Sequence, residues 1–151
     1  MLDTTSITAA DALTESLETM AFISALPPED ALAPAGLAFF TRIEFRGASD
    51  GALELLCSRE FGHLLAANLL GCAPDDPDLA QRAGDALKEL INITCGTFLR
   101  NTGATARALV EMSVPVQSAF DLADWDAFVA ANATILDAEG HKLALRLVEI
   151  K

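Results

Sequence analysis

The sequence predicts an α+β fold in which helices pack on one face of a largely antiparallel sheet. Three observations indicate it. A helical apolar period recurs in three segments, alternating apolar residues indicate strands, and turn residues typical of hairpins separate two pairs of those strands. The elements follow in the order helix, hairpin, helix, long helix and further strands, which is typical of α+β proteins.

Composition limits the class of protein. The 151 residues are enough for a single domain, residues 1–151, or for two small related halves that share a core. Hydrophobic residues make up 52% of the chain, which is ample for a packed core, whereas the net charge of −12 argues against nucleic acid and anionic membrane as partners. No apolar run reaches the length of a membrane span, and the first residues lack the basic start of a signal peptide, so we expect a cytoplasmic protein.

The cysteines and histidines are too scattered to indicate a metal or redox site. The three cysteines, Cys57, Cys72 and Cys95, form no C-x-x-C pair, and His63 lies far from His141 in the sequence. We therefore expect reduced thiols that pack in or beside the core, and no metal bound by this chain.

The first half of the chain is predicted to contain a helix and a hairpin. Residues 7–24 have an apolar stripe, Thr5 or Ser6 would cap the helix, and the prolines at 27–28 would end it. The alternating residues that follow predict two strands, 37–45 and 53–57, joined by a turn at 47–51.

Two further helices are predicted in the middle of the chain. Ser58 would cap the first of them, which continues to Leu70 and ends at Gly71. The second is long, residues 79–100, and one of the aspartates that precede it (Asp75, Asp76 or Asp78) would begin it.

The last third is predicted to be mostly extended. Residues 106–118 form one or two extended pieces that are interrupted at Pro115, and residues 121–129 form a loop or single helical turn in which Trp125 fills the core. The closing strands, 133–136 and 142–150, flank a strong hairpin signal at residues 137–140.

A short internal similarity links the first and third helices. Residues 11–18 resemble residues 85–92, and strands follow each copy, which favours two related halves, although matches of this length also arise by chance. The copies differ where the second has Asn92 and Gly96, because the first has Glu18 and Phe22 at those places.

The third helix has two distinct faces. At 100° per residue, four residues fall within about 60° of Leu87 on either side and together with it predict a buried stripe. Four polar or small residues fall on the opposite face. A solvated acidic face is the ordinary interpretation of such a pattern, but a glycine inside a helix costs about 1 kcal/mol relative to alanine and allows another molecule to approach closely. The buried stripe is Leu87, Leu90, Ile91, Thr94 and Phe98, and the opposite face is Asp85, Glu89, Asn92 and Gly96.

These residues resemble the motif of a known family. The spacing Asp85-x3-Glu89-x2-Asn92-x22-Pro115 agrees at every position with (D/S)-x3-E-x2-N-x22-P, the motif of the CheC/CheX/FliY phosphatases of bacterial chemotaxis. The resemblance extends over nearly the whole chain, from the opening helix to the closing strands. Because CheX-type members carry one active motif and CheC-type members typically two, the altered first copy is more similar to CheX.

The resemblance implies a CheC/CheX-like fold and a phosphatase that hydrolyses the aspartyl phosphate of a CheY-like response regulator. Asn92 would orient the attacking water, and Glu89 would pair with the active-site lysine of the receiver domain. The receiver would supply Mg²⁺. Pro115 would shape the strand beneath the helix, the altered first copy would not be a second active site, and the partner-binding residues would be Asp85, Gly96 and Ile93.

Two other functions were considered. A non-catalytic CheX-like adaptor could bind receiver domains or a flagellar switch component, whereas a metal or cysteine hydrolase is disfavoured by the scattered ligands. CheX relatives dimerise by joining sheets, so a homodimer is possible if the closing strand, residues 142–150, offers a free edge, but such an apolar strand can equally be covered within the monomer.

Overall fold

The computed structural model describes residues 4–36, 38–47, 49–103, 110–120 and 124–150. The described part of the chain has four helices and seven strands. The helices are α1 (Thr4–Ala21), α2 (Arg59–Leu70), α3 (Leu79–Asn101) and α4 (Trp125–Ala130). The strands are β1 (Ala25–Leu26), β2 (Ala38–Arg46), β3 (Gly51–Ser58), β4 (Glu111–Met112), β5 (Val116–Phe120), β6 (Ala133–Ala138) and β7 (His141–Glu149).

The strands form one antiparallel sheet in the order β1-β6-β7-β3-β2-β4, and β5 pairs with β2 beside β4. The α+β prediction is therefore confirmed. Of the two alternatives for the closing strand, the structure has the covered one, because β7 pairs with β3 on one side and β6 on the other. The strands at the ends of the order are β1 at one end and β4 with β5 at the other.

The first helix differs from its predicted bounds at both ends. It begins at Thr4, three residues before the predicted start, and the side chains of the predicted caps, Thr5 and Ser6, lie outside those that the structure describes. It ends at Ala21, before the prolines, because Phe22 adopts a left-handed conformation with φ of 57°. The N–H of Ile23 then donates to the carbonyl of Leu17 at 3.0 Å and turns the chain back over the last turn of the helix.

The next two helices begin and end close to their predicted bounds. Ser58 caps α2, since its hydroxyl accepts from the N–H of Phe61 at 3.2 Å, and Gly71 ends it with a φ of 70°. Asp78 precedes α3 but makes no side-chain cap. Instead the carboxylate of Asp76 accepts from the N–H of Asp78 at 2.8 Å and holds the turn that leads into the helix.

The main core lies between the first three helices and one face of the sheet. Helix α1 packs over β6 and β7, α3 packs over β2 and β3, and the two helices pack against each other. All five residues of the stripe predicted for α3 are buried. None of the helices in the described ranges is long and apolar enough to cross a membrane.

A smaller cluster covers part of the other face of the sheet, where the short helix α4 lies in the segment predicted to be a loop or single helical turn. Trp125 of α4 is fully buried against this face, and its indole N–H donates to the carbonyl of Ala31 at 3.0 Å. The other buried residues of the cluster are Ala38, Leu56, Phe128 and Ala144. Trp125 therefore fills a core, as predicted.

Beside this cluster, Glu54 on β3 forms ion pairs with residues of both neighbouring strands, β2 and β7. The register places Glu54 opposite Arg42 on β2 and opposite Arg146 on β7. Its side chain is only 7% exposed and forms ion pairs with both arginines, the one to the Arg146 Nη2 atom being 2.6 Å long. Arg146 also lies 4.2 Å above the ring centre of Phe128, so the ion pairs and the apolar cluster form one layer.

The order of the strands supports two related halves. Exchange of β1 with β4, β2 with β6 and β3 with β7 turns the order β1-β6-β7-β3-β2-β4 into the same order read backwards. The same exchange replaces α1 over β6 and β7 with α3 over β2 and β3, as observed. We call this relation the two-fold order of the sheet.

The last hairpin has the predicted turn. Glu139 and Gly140, the two residues between β6 and β7, have φ of 52° and 88°, as a tight type I′ turn requires. The carboxylate of Asp137 accepts from the N–H of Gly140 at 2.8 Å and holds the turn closed.

Candidate functional site

The polar face of α3 points away from the core, as its periodicity predicts. Asp85 and Glu89 are exposed, and Asn92 and Gly96 are half-buried. Glu89 and Asn92 are three residues apart, so their side chains are neighbours on the helix surface.

This face forms one wall of an open groove of about 370 Å³. The opposite wall is the segment between β4 and β5. The structure thus brings together the motif residues Asp85, Glu89, Asn92 and Pro115, with four residues that the motif does not contain: Lys88, Met112, Ser113 and Val114.

A β-bulge shapes the second wall. Met112 pairs with Phe45 and Val116 pairs with Arg42. The segment from β4 to β5 therefore advances four residues where β2 advances three, which leaves one extra residue in that segment. The extra residue lies in the segment that ends at Pro115, whose ring nitrogen has no proton to donate to the ladder. Pro115 therefore interrupts the edge, as predicted, and it also lines the groove.

Ser113 holds the bulge to the sheet. Its N–H donates to the carbonyl of Glu44 at 2.9 Å, and its hydroxyl accepts from the N–H of Glu44 at 3.0 Å. On the other wall, α3 lies close to β5. A Cβ on Gly84 of α3 would lie 2.8 Å from the Oε1 atom of Gln117 of β5, so a glycine at this position allows the close approach. Both walls of the groove are thus fixed to one sheet.

The charged side chains of the groove are exposed to solvent. The Lys88 Nζ atom lies 3.9 Å from the Asp85 Oδ1 atom, and both side chains are about half exposed, so this pair stabilises little. Among the described residues, no three His, Cys, Asp or Glu side chains lie together as metal ligands. The thiol of Cys95 lies in the core behind the groove, where burial raises its pKa to about 12 and keeps it protonated and unreactive.

Two predicted partner-binding residues lie outside the groove lining. Gly96 continues the row of Glu89 and Asn92 by one turn, and a Cβ placed on it would meet nothing within 4 Å. Steric contacts within the described chain therefore do not require a glycine at this position. Ile93 is half-buried and lies on the flank of α3 that faces away from Lys88.

The corresponding face of α1 is also exposed but has different side chains. Glu15 and Glu18 are exposed, and Phe22 is 82% exposed at the end of the helix. When residues 11–18 are aligned with residues 85–92, Glu18 and Phe22 correspond to Asn92 and Gly96, although Phe22 lies just beyond α1 and Gly96 lies inside α3. An amide and a glycine on one face therefore correspond to a carboxylate and an aromatic ring on the other.

Sequence reasoning missed the four additional lining residues. Lys88 falls between the polar and buried faces on the helical wheel, and nothing in its own spacing sets it apart. The other three, Met112, Ser113 and Val114, directly precede Pro115 in a segment predicted to be extended. Their apolar members, Met112 and Val114, were the available signal in the sequence.

Comparison with known proteins identifies the family. The family described as chemotaxis phosphatase CheX matches residues 39–119, more than half of the chain, and the match contains the whole motif from Asp85 to Pro115. The chain therefore belongs to this family, as a CheX-like member of the CheC/CheX/FliY group. No curated protein sequence matches it.

Solved CheX structures have the same fold. CheX from Vibrio vulnificus has a TM-score of 0.71 at 14% identity, with 97% of this chain and 96% of that chain covered. CheX from Desulfovibrio desulfuricans has a TM-score of 0.68 at 14% identity, with 97% and 99% covered. The CheX-CheY-BeF3-Mg²⁺ complex from Borrelia burgdorferi has a TM-score of 0.68 at 16% identity, with 100% of this chain and 100% of the matched chain covered.

Proposed function

We propose that this protein removes the phosphoryl group from the aspartyl phosphate of a CheY-like receiver domain. The observation that carries the proposal is that Glu89 and Asn92 are neighbours on the outer face of α3 and line the same groove. The family supports a phosphatase, and the complex of the Borrelia burgdorferi relative with CheY supports a receiver as the partner.

The reaction needs little covalent chemistry from the protein. Water attacks phosphorus, the bond between phosphorus and the aspartyl oxygen breaks, and the products are a free carboxylate, inorganic phosphate and one proton. An acyl phosphate is already activated, so the main requirement is a water held in line with the bond that breaks.

The side chains of the groove suit these tasks. The carboxamide of Asn92 accepts a hydrogen bond from the attacking water and adds no negative charge beside the phosphoryl group. The carboxylate of Glu89 is exposed, and it pairs with the receiver's active-site lysine and so aligns the two proteins.

Mg²⁺ in this proposal is bound by the receiver. The groove offers two carboxylates and an amide, and one carboxylate is already beside the ammonium group of Lys88. This donor set is weaker than the clustered oxygen ligands that Mg²⁺ and Ca²⁺ sites require, so it suits partner groups better than a resident ion. When bound to the receiver, Mg²⁺ would draw charge from the phosphoryl oxygens.

Phosphate release from CheY-like receivers, phosphorylated with acetyl phosphate in the presence of Mg²⁺, tests the proposal. Asn92→Ala should lower the rate about 100-fold, because the water loses its orienting group, and Glu89→Ala should lower it through loss of alignment. Asn101→Ala is the matched control, since Asn101 is an exposed asparagine at the end of the same helix, and it should keep full activity.

An Asn92→Ala protein that retained half of the wild-type activity would overturn the assignment. A wild type that binds receivers loaded with beryllium fluoride, a mimic of the phosphoryl group, but releases no phosphate from them would instead support an adaptor.

A further inference from the structure

Two apolar side chains stand at the mouth of the groove. Val114 is 84% exposed and Met112 is 37% exposed, and both line the groove opposite Glu89 and Asn92. We call Met112 and Val114 the apolar lip. Burial of a valine or methionine side chain is worth about 1.5–3 kcal/mol, so exposed residues of this kind are candidates for a contact surface.

The backbone of the lip is hydrogen-bonded to the sheet, whereas its side chains are exposed. Met112 pairs with Phe45 in the ladder, and Ser113, between the two lip residues, makes two hydrogen bonds to the backbone of Glu44. A contact surface that is ordered before binding loses little conformational entropy when a partner arrives.

The bulge separates the lip from the next exposed apolar residue. Val116 is 59% exposed, but it pairs with Arg42, whose side chain joins the ion pairs on the face of the sheet opposite α3. Side chains at paired positions share a face, so Val116 points away from the groove, and it does not line it. Two exposed valines only two residues apart are thus presented to different sides.

We infer that the apolar lip is the docking surface for the receiver, and that it contacts an apolar patch beside the phosphorylated aspartate. This inference rests on the proposed function and adds the chemistry of the partner's surface. The lip and Asn92 line one groove, so a protein that brings a phosphoryl group to Asn92 must cover Val114. Burial of the lip supplies affinity, whereas Asn92 supplies chemistry.

A pair of valine variants tests the inference. Val114→Ser should raise KM for a phosphorylated receiver, and Kd for the same receiver loaded with beryllium fluoride, about tenfold, while kcat stays within about twofold. Val116→Ser removes an exposed valine of the same type outside the groove and should leave KM, Kd and kcat at the wild-type values. Urea unfolding checks that both variants are as stable as the wild type, as exposed positions predict.

Equal Kd values for Val114→Ser and wild type would overturn the inference, and so would equal increases in both valine variants. A change in molar mass of Val114→Ser by light scattering, without a change in Kd, would assign the lip to contact between copies and would also overturn it. If the wild type binds receivers but releases no phosphate, the phosphatase proposal fails, yet the Kd comparison still tests the lip. A wild type that neither binds nor dephosphorylates any receiver overturns both.

Discussion

Phe22 combines two unfavourable features at one position. Its φ of 57° places it in the left-handed region, which glycine tolerates best, and its ring is 82% exposed. Helix α2 ends in the same way, but there the left-handed residue is Gly71, with a φ of 70°. The two helix ends therefore give a direct comparison of an aromatic residue and a glycine in one backbone geometry.

Phe22→Gly should stabilise the protein. The change relieves the left-handed strain and removes few packing contacts, so we expect the free energy of unfolding to rise by about 1 kcal/mol. Urea unfolding measures it. Gly71→Ala is the reciprocal control and should lose about 1 kcal/mol, since a Cβ there meets nothing within 4 Å and only the backbone is strained. A Phe22→Gly protein less stable than the wild type would show that the ring makes contacts that outweigh the strain.

At the scale of the element, α3 combines an inner face that stabilises the fold with an outer face whose residues do not maximise helix stability. Its inner stripe is buried, as a 3.6-residue period requires, while its outer face holds a glycine where alanine would be more stable. No contact inside the described chain explains Gly96, because the space around a Cβ there is empty.

Gly96→Ala should therefore separate stability from activity. The free energy of unfolding should rise by about 1 kcal/mol from helix propensity, while phosphate release from the receiver should fall because a methyl group obstructs close approach. Gln81→Ala, at an exposed position of the same helix outside the groove, should also raise stability slightly and leave activity unchanged. Full activity in Gly96→Ala would remove Gly96 from the receiver interface.

Local patterns predicted the faces of α3 but not the bulge opposite. The buried stripe and the polar row follow from spacing within one helix, and Pro115 was expected to interrupt an extended segment. The extra residue before Pro115 depends on pairing with β2, which lies about 70 residues earlier in the chain. The same limit left two alternatives for β7, a free edge or a covered strand, since its pairing with β3 depends on the whole sheet.

For the whole molecule, the layer around Glu54 ties the two halves of the sheet together. Strands β3 and β7 meet at the middle of the sheet, and Glu54 on β3 binds Arg146 across that junction and Arg42 on its other side. In sequence Glu54 is one charge within an apolar strand, and its partners lie 12 and 92 residues away. No local pattern could assign them.

Glu54→Gln should destabilise the whole fold. The amide cannot balance two guanidinium groups that are three-quarters buried, so we expect a loss of about 2 kcal/mol in the free energy of unfolding by urea. Glu44→Gln is the control, because the Glu44 side chain is 37% exposed and its ion pairs with Arg42 and Arg46 are both long, at 3.5 Å. This variant should lose less than about 0.5 kcal/mol. A Glu54→Gln protein as stable as the wild type would mean that the arginines are hydrated instead.

The two-fold order of the sheet also bears on how such a protein could diverge. A symmetric dimer repeats every mutation in both copies, so its two equivalent surfaces must change together. Once two such halves are part of one chain, each codon changes alone. One half can then keep an asparagine and a glycine at the proposed site, while the other has Glu18 and Phe22 and retains only its share of the common core.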